Sequence, residues 1–234
     1  MKLRPEERLI VALDVETVEK AARLVKRLTP LGVAHFKVGL SLFTQAGPAA
    51  VEAVHEQGGK VFLDLKFHDI PNTVANAVRA AAQLKVWMVN VHIQGGGAMM
   101  RSALSAAEGN GLLLIGVTVL TSMAEKDLME LGVNNPLERQ VLALAKLAAS
   151  AGLNGVVASA REAAVIRETC GEKFLIVTPG IRTRDKTAHD QQRTAGPLEA
   201  IRAGADYLVV GRPILEATDP EAAAAQILEE CSRS

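Results

Sequence analysis

Eight short apolar runs, each followed by an Ala-rich amphipathic stretch, succeed one another along the whole 234-residue chain. The runs are Leu9 to Val15, His35 to Leu40, Lys60 to Phe67, Met88 to Ile93, Leu113 to Val119, Gly155 to Ser159, Phe174 to Thr178 and Tyr207 to Val210. Runs of that length without polar alternation suit strands buried on both faces, which means parallel strands with helical crossovers. The crossovers are read at Val18 to Leu28, Phe43 to Glu56, Asn72 to Gln83, Ala98 to Glu108, Pro136 to Ser150, Arg161 to Thr169, Pro197 to Ala203 and Pro220 to Glu230. Thr17 is placed to cap the first of these, and Gly58, Gly109, Gly152 and Gly204 stand where helices should stop. Eight strand–helix units predict an α/β fold, a (β/α)8 TIM barrel, as one domain over residues 1–234. An open doubly wound sheet is the alternative, weakened because no Gly-x-Gly-x-x-Gly turn follows the first run. One segment breaks the rhythm. Ile181 to Gly196 is polar and charged without helical periodicity, which fits a lid or binding loop better than a merely mobile insertion.

Composition narrows the classes of function. Lys plus Arg equals Asp plus Glu at 26 each, so no basic excess points to nucleic acid or to a membrane surface. No apolar run is long enough to span a bilayer, and the first residues lack a signal-peptide core. Cys170 and Cys231 fit neither a metal nor a redox spacing and read as small hydrophobes. The expectation is a cytoplasmic protein without nucleic-acid or membrane partners.

In a barrel, chemistry gathers at the C-terminal ends of the strands. The third run ends in Asp64-Leu65-Lys66-Phe67-His68-Asp69-Ile70-Pro71. Strand alternation puts Phe62, Asp64 and Lys66 on one face, while Leu63, Leu65 and Phe67 suit packing against helices. The charged face should therefore point into the barrel mouth, where Asp14 and Lys37 also arrive. Charges there are costly unless they pair or do chemistry. An alternating row of Lys37, Asp64, Lys66 and Asp69 gives each charge an opposite neighbour and needs no metal. A structural ion pair plugging the barrel is the plainer reading, but the convergence of Asp14, Lys37 and Asp69 on one rim favours function. A metal site on Asp64, Asp69, His68 or His92 is the sharper rival. Lys37 and Lys66 would crowd a magnesium ion there. His35 and His55 read as packing or helix-surface residues, and His68 and His92 as positioning or structural ones.

A second signal is for phosphate. Gly211-Arg212 ends the eighth run ahead of Pro213, and a glycine with an adjacent guanidinium suits an anion. Barrels often hold phosphate with the loops after strands seven and eight. Thr178-Pro179-Gly180-Ile181-Arg182 and the segment after it supply further donors, including Arg184, Lys186, Gln191, Gln192 and Arg193, some of them bystanders.

These motifs together resemble those of the orotidine 5′-monophosphate decarboxylases of the bacterial type. The likeness rests on Ala12-Leu13-Asp14, Phe36-Lys37-Val38-Gly39, the run from Phe62 to Val74, Val117 to Ser122, Val177 to Arg182 and Val209 to Pro213. Val91-His92-Ile93-Gln94-Gly95-Gly96 departs from the family pattern, which has a small residue after the histidine and one fewer position before the glycines. The resemblance implies cofactor-free decarboxylation of orotidine 5′-monophosphate to uridine 5′-monophosphate, the last step of de novo pyrimidine nucleotide synthesis, in a homodimer with shared active sites. It implies catalytic roles for Lys66, Asp64, Asp69 and Lys37. Asp14 and Lys37 would hold the ribose, with Asp69 and Thr73 assisting from the other subunit; Ser122 would contact the pyrimidine ring, and Thr121 would be a further substrate-binding residue. Gln191, Gly211 and Arg212 would grip the phosphate, with Arg182 nearby, and Pro179 would be a further substrate-binding residue. Asp69, Ile70 and Thr73 would reach into the partner's site. Two other functions stay open: a magnesium-dependent sugar-phosphate lyase of the same superfamily, and a nucleotide-binding barrel without catalysis.

Overall fold

Parallel strands pair in chain order, and the last returns to the first, closing a barrel β1-β2-β3-β4-β5-β6-β7-β8. The strands are β1 (Leu9–Ala12), β2 (His35–Gly39), β3 (Lys60–Phe67), β4 (Met88–His92), β5 (Leu113–Val117), β6 (Gly155–Val157), β7 (Leu175–Thr178) and β8 (Tyr207–Val210). This computed structural model describes residues 3–182 and 194–233. All eight expected strands are present, several ending sooner than their apolar runs. β1 stops at Ala12, not Val15, which leaves Asp14 in the turn above the barrel.

The helices are α1 (Pro5–Arg8), α2 (Val18–Leu28), α3 (Leu40–Ala46), α4 (Ala49–His55), α5 (Pro71–Gln83), α6 (Gly96–Ala107), α7 (Glu125–Glu130), α8 (Leu137–Ala151), α9 (Ala160–Cys170), α10 (Pro197–Arg202), α11 (Arg212–Leu215) and α12 (Pro220–Ser232). Thr17 caps α2 by accepting the Lys20 N–H at 3.3 Å. The single helix expected from Phe43 to Glu56 is two, α3 and α4. Gly47 takes φ +55°, and Pro48 has no N–H to continue the ladder. α1, α7 and α11 are additional to the expected helices. Each is too short to show a helical period, and α7 is held by the Asp127 carboxylate accepting the Ala124 N–H at 2.7 Å.

Two apolar layers result. Outward residues of the strands, such as Val11, Val38, Leu63 and Val89, pack with Val25, Val54, Val78 and Met99 of the helices. Inward residues, including Ile10, Phe62, Met88, Ile115, Val177 and Tyr207, fill the barrel. At its N-terminal end the His35 ring stacks on Trp87, centroids 4.0 Å apart, and meets Tyr207 edge-on at 5.8 Å. These rings fill the lower end of the barrel. At the departure after β4, Ile93–Gly95 forms a 3-10 turn and Ile93 is fully buried. Its side chain occupies the space a Cβ on Gly116 would need, 2.5 Å from that position. The bulky residue is thus accommodated by a glycine on the neighbouring strand.

Candidate active site

A cavity of about 260 Å³ opens at the C-terminal end of the barrel. Its floor is apolar, from Ala12, Phe62, Val117, Val157 and Val209. Its wall on the β1–β3 side carries Asp14, Lys37, Asp64 and Lys66, and its edge on the β7–β8 side carries Pro179, Gly180, Arg182, Gly211 and Arg212.

The charged wall is a row of alternating signs. Lys37 Nζ lies 3.1 Å from Asp14 Oδ1 and 3.5 Å from Asp64 Oδ2. Lys66 Nζ donates to Asp64 Oδ1 at 2.7 Å. Asp64 is the hub, only 9% exposed. Burial, the largest single influence, pushes its carboxyl up the pH scale. The Lys37 and Lys66 ammonium groups and hydrogen bonds from Lys66 and Asn90 together outweigh it, so the carboxyl sits below its ordinary range and is ionised at neutral pH. Lys37 reaches Asp64 because position 39 is glycine: a Cβ there would sit 2.8 Å from Lys37 Nζ.

Asp69 is not in this row. Within one chain the row is instead extended at its other end, by Asp14, which pairs with Lys37 from the turn after β1. The Asp69 carboxylate is exposed on the rim and accepts the Ile70 N–H at 2.7 Å. Ile70 is 67% exposed, and Thr73, in the first turn of α5, is also exposed. None of the three lines the cavity of its own chain. Thr121 does line it, whereas Ser122 is exposed beside it. Arg182 Nη1 donates to the carbonyl of Ile181 at 3.1 Å. Gln191, with Arg184, Lys186, Gln192 and Arg193, lies outside the described residues.

A metal centred on Asp64 does not suit this donor set. Both carboxylate oxygens already face ammonium groups, and Oδ1 accepts a further N–H from Asn90. His68 and His92 instead stack on one another, centroids 5.4 Å apart. Burial, then the charges of His68 and Lys66, hold His92 below its ordinary range, so it is neutral near pH 7.

Residue-level reasoning from the sequence missed Asn90. It is fully buried in β4 and bonds to both Asp64 and Lys66. An asparagine inside the apolar run Met88-Val89-Asn90-Val91 was the available signal, since a buried amide demands partners.

Residues 7–227 match the family described as orotidine 5′-phosphate decarboxylase / HUMPS. The chain belongs to this family. It is 54% identical to the orotidine 5′-phosphate decarboxylase of Chromohalobacter salexigens, over 95% of this chain and 94% of that protein. It is 52% identical to the enzyme of the same name from Syntrophotalea carbinolica, over 98% and 97% of the two chains. Its fold superposes on the crystal structure of orotidine 5′-phosphate decarboxylase from Lactobacillus acidophilus with a TM-score of 0.83, at 38% identity over 97% of this chain and 99% of that one. The (β/α)8 barrel and the family expected from the motifs are therefore both found.

Proposed function

We propose that this chain is a carboxy-lyase that decarboxylates orotidine 5′-monophosphate to uridine 5′-monophosphate, completing de novo synthesis of the pyrimidine nucleotide. The observation that carries the reading is the Lys66 ammonium, tied to the ionised Asp64 at 2.7 Å inside the cavity of a chain from this family.

The chemistry follows from charge. The C6–carboxylate bond breaks, carbon dioxide leaves, and the electron pair stays on C6, where the ring delocalises it poorly. An ammonium fixed at that carbon stabilises the pair electrostatically and then gives it a proton, which Lys66 regains from solvent. Asp64 has two effects: it holds Lys66 in place, and it opposes the substrate carboxylate until that group departs. Two charges about 4 Å apart at an effective dielectric of about 20 interact by about 4 kcal/mol, and full release of that repulsion is worth roughly a thousandfold in rate.

The remaining roles follow the cavity. Arg212, Gly211 and Arg182, with Pro179 beside them and Gln191 from the adjoining segment, take the phosphate. Asp14 and Lys37, between that edge and Lys66, take the ribose hydroxyls, and Thr121 and Ser122 take the pyrimidine edge. Phosphate bound far from the reacting carbon then contributes binding energy to orientation and water exclusion at the ring.

The proposal includes a homodimer in the cytoplasm, with one barrel domain per chain. The exposed apolar side chains of Ile70 and Leu40, 67% and 55% exposed near the mouth, support a partner covering this rim. Asp69, Ile70 and Thr73 would then complete the partner's cavity. No described helix is long and apolar enough to cross a membrane, and Lys plus Arg balance Asp plus Glu at 26 each.

A spectrophotometric assay with orotidine 5′-monophosphate, repeated after treatment with a strong chelator, tests the reading. Turnover that survives chelation supports it. Turnover abolished by the chelator supports a magnesium-dependent lyase, and tight nucleotide binding without carbon dioxide release supports a binding protein.

A further inference from the structure

β3 and β4 do not keep step. Leu63 pairs with Val89, and Phe67 pairs with Val91, so four residues of advance on β3 face two on β4. Such a bulge takes main-chain groups out of the ladder and re-aims side chains. Lys66 sits in the bulge with φ +52°, a left-handed conformation that non-glycine residues seldom adopt and that must be held by its surroundings. Its N–H has left the ladder and would be unsatisfied were it not for Asn90, directly opposite.

Asn90 Oδ1 accepts the Lys66 N–H at 2.8 Å, and Asn90 Nδ2 donates to Asp64 Oδ1 at 2.7 Å. The chemistry fixes this orientation of the amide, because a main-chain N–H only donates and an ionised carboxylate only accepts. Asn90 is fully buried, so neither bond has water to replace it. The same Oδ1 of Asp64 receives the Lys66 ammonium. Main chain of Lys66, amide of Asn90, carboxylate of Asp64 and ammonium of Lys66 thus form a closed ring of contacts.

We propose that Asn90 is a positioning residue for the decarboxylation: its side chain holds the strained Lys66 main chain and orients Asp64, and so sets where the Lys66 ammonium stands. Both roles together need an acceptor and a donor on one side chain, as in a carboxamide. Leucine has neither donor nor acceptor, serine is too short to span the bulge, and aspartate would set a second carboxylate against Asp64. This inference rests on the decarboxylase reading, and a misplacement of about 1 Å at a reacting group costs about a hundredfold in rate.

The test compares the parent with Asn90→Ala, Asn90→Ser and Asn90→Asp in three measurements: kcat for carbon dioxide release, uridine 5′-monophosphate affinity by calorimetry, and hydrogen exchange at the Lys66 amide in ¹⁵N-lysine-labelled protein. In the alanine and serine variants kcat should fall about a hundredfold while product affinity stays within about threefold, and the Lys66 amide should lose protection. Asn90→Asp should keep that amide protected, through its remaining acceptor, yet still lose turnover. A role in packing alone would lower stability without separating kcat from product affinity. Turnover within about threefold of the parent in the alanine or serine variant, or product affinity falling in parallel with kcat, overturns the proposal. If the variants do not fold, exchange in the parent decides: a Lys66 amide as labile as those of exposed loops overturns the proposal. A parent that binds nucleotide but releases no carbon dioxide would instead overturn the decarboxylase reading itself.

Discussion

Replacing Asp64 by asparagine removes one charge and almost no volume, and so isolates the repulsion assigned to that carboxylate. A substrate carboxylate hydrogen-bonded to Lys66 at about 2.8 Å would share that ammonium with Asp64, which holds it at 2.7 Å. The two carboxylates then lie no more than about 5.5 Å apart, for a repulsion of at least about 3 kcal/mol at an effective dielectric of about 20. That is roughly 150-fold in an equilibrium constant, rising toward a thousandfold at about 4 Å. The assay needs a substrate that stays intact, so it is run in a Lys66→Ala background; phosphate and ribose contacts hold the ring where the parent site holds it, so the separation of the two carboxylates carries over. Calorimetric dissociation constants for orotidine and uridine 5′-monophosphates are compared with and without Asp64→Asn. The substitution should favour the carboxylated nucleotide over the product by about a hundredfold or more. Product affinity serves as the internal control, because it carries no carboxylate at C6. A preference that moves by less than about twofold would refute the idea that Asp64 opposes the substrate's acid group.

Arg212→Ala should weaken uridine 5′-monophosphate binding far more than uridine binding, since one guanidinium–phosphate pair contributes about 1.5 to 3 kcal/mol; equal losses in calorimetry would contradict the phosphate role. Mixed dimers of Asp69→Ala and Lys66→Ala chains should recover turnover through the one site that receives both native residues, and a verified heterodimer without activity would argue against shared sites. His35, stacked between Trp87 and Tyr207, is pushed by burial, and next by the Lys60 charge, from 6.5 down to about 4, with Glu7 opposing. The unfolded chain therefore binds a proton there before the folded one does, so stability falls as pH drops from about 6.5 to about 4, by up to about 3 kcal/mol. Urea denaturation should show His35→Phe losing that part of the slope, and an unchanged slope would place the acid sensitivity elsewhere.

The strands were legible because parallel barrel strands are buried on both faces and leave continuous apolar runs. Their ends were less so: β1 stops at Ala12, but Leu13, in the turn that carries Asp14, is buried too and continues the apolar run past the strand's end. Asp64, Lys66 and Lys37 could be placed in one pocket by alternation along β3 and by the rule for strand ends. The partner of Lys37 could not, since only the turn geometry decides that Asp14 joins the row and Asp69 faces outward. The bulge in β3 was hidden for a related reason. Strand alternation assumes an unbroken pleat, and nothing local in Leu65-Lys66-Phe67 announces a residue at positive φ. The acceptor that takes up its freed N–H lies on the neighbouring strand, in the Asn90 amide, which is a long-range contact. Short helices such as α7, fixed by one capping carboxylate, fall below the length at which a helical period can be read.

Decarboxylation as proposed requires the Lys66 ammonium to stand at C6 of the bound nucleotide. Carbon dioxide release by Lys66→Ala, measured alongside its affinity for uridine 5′-monophosphate, tests this most directly. Turnover should vanish while product binding remains within about tenfold, a loss of no more than about 1.4 kcal/mol. A variant that still releases carbon dioxide at a rate near the parent's would contradict it.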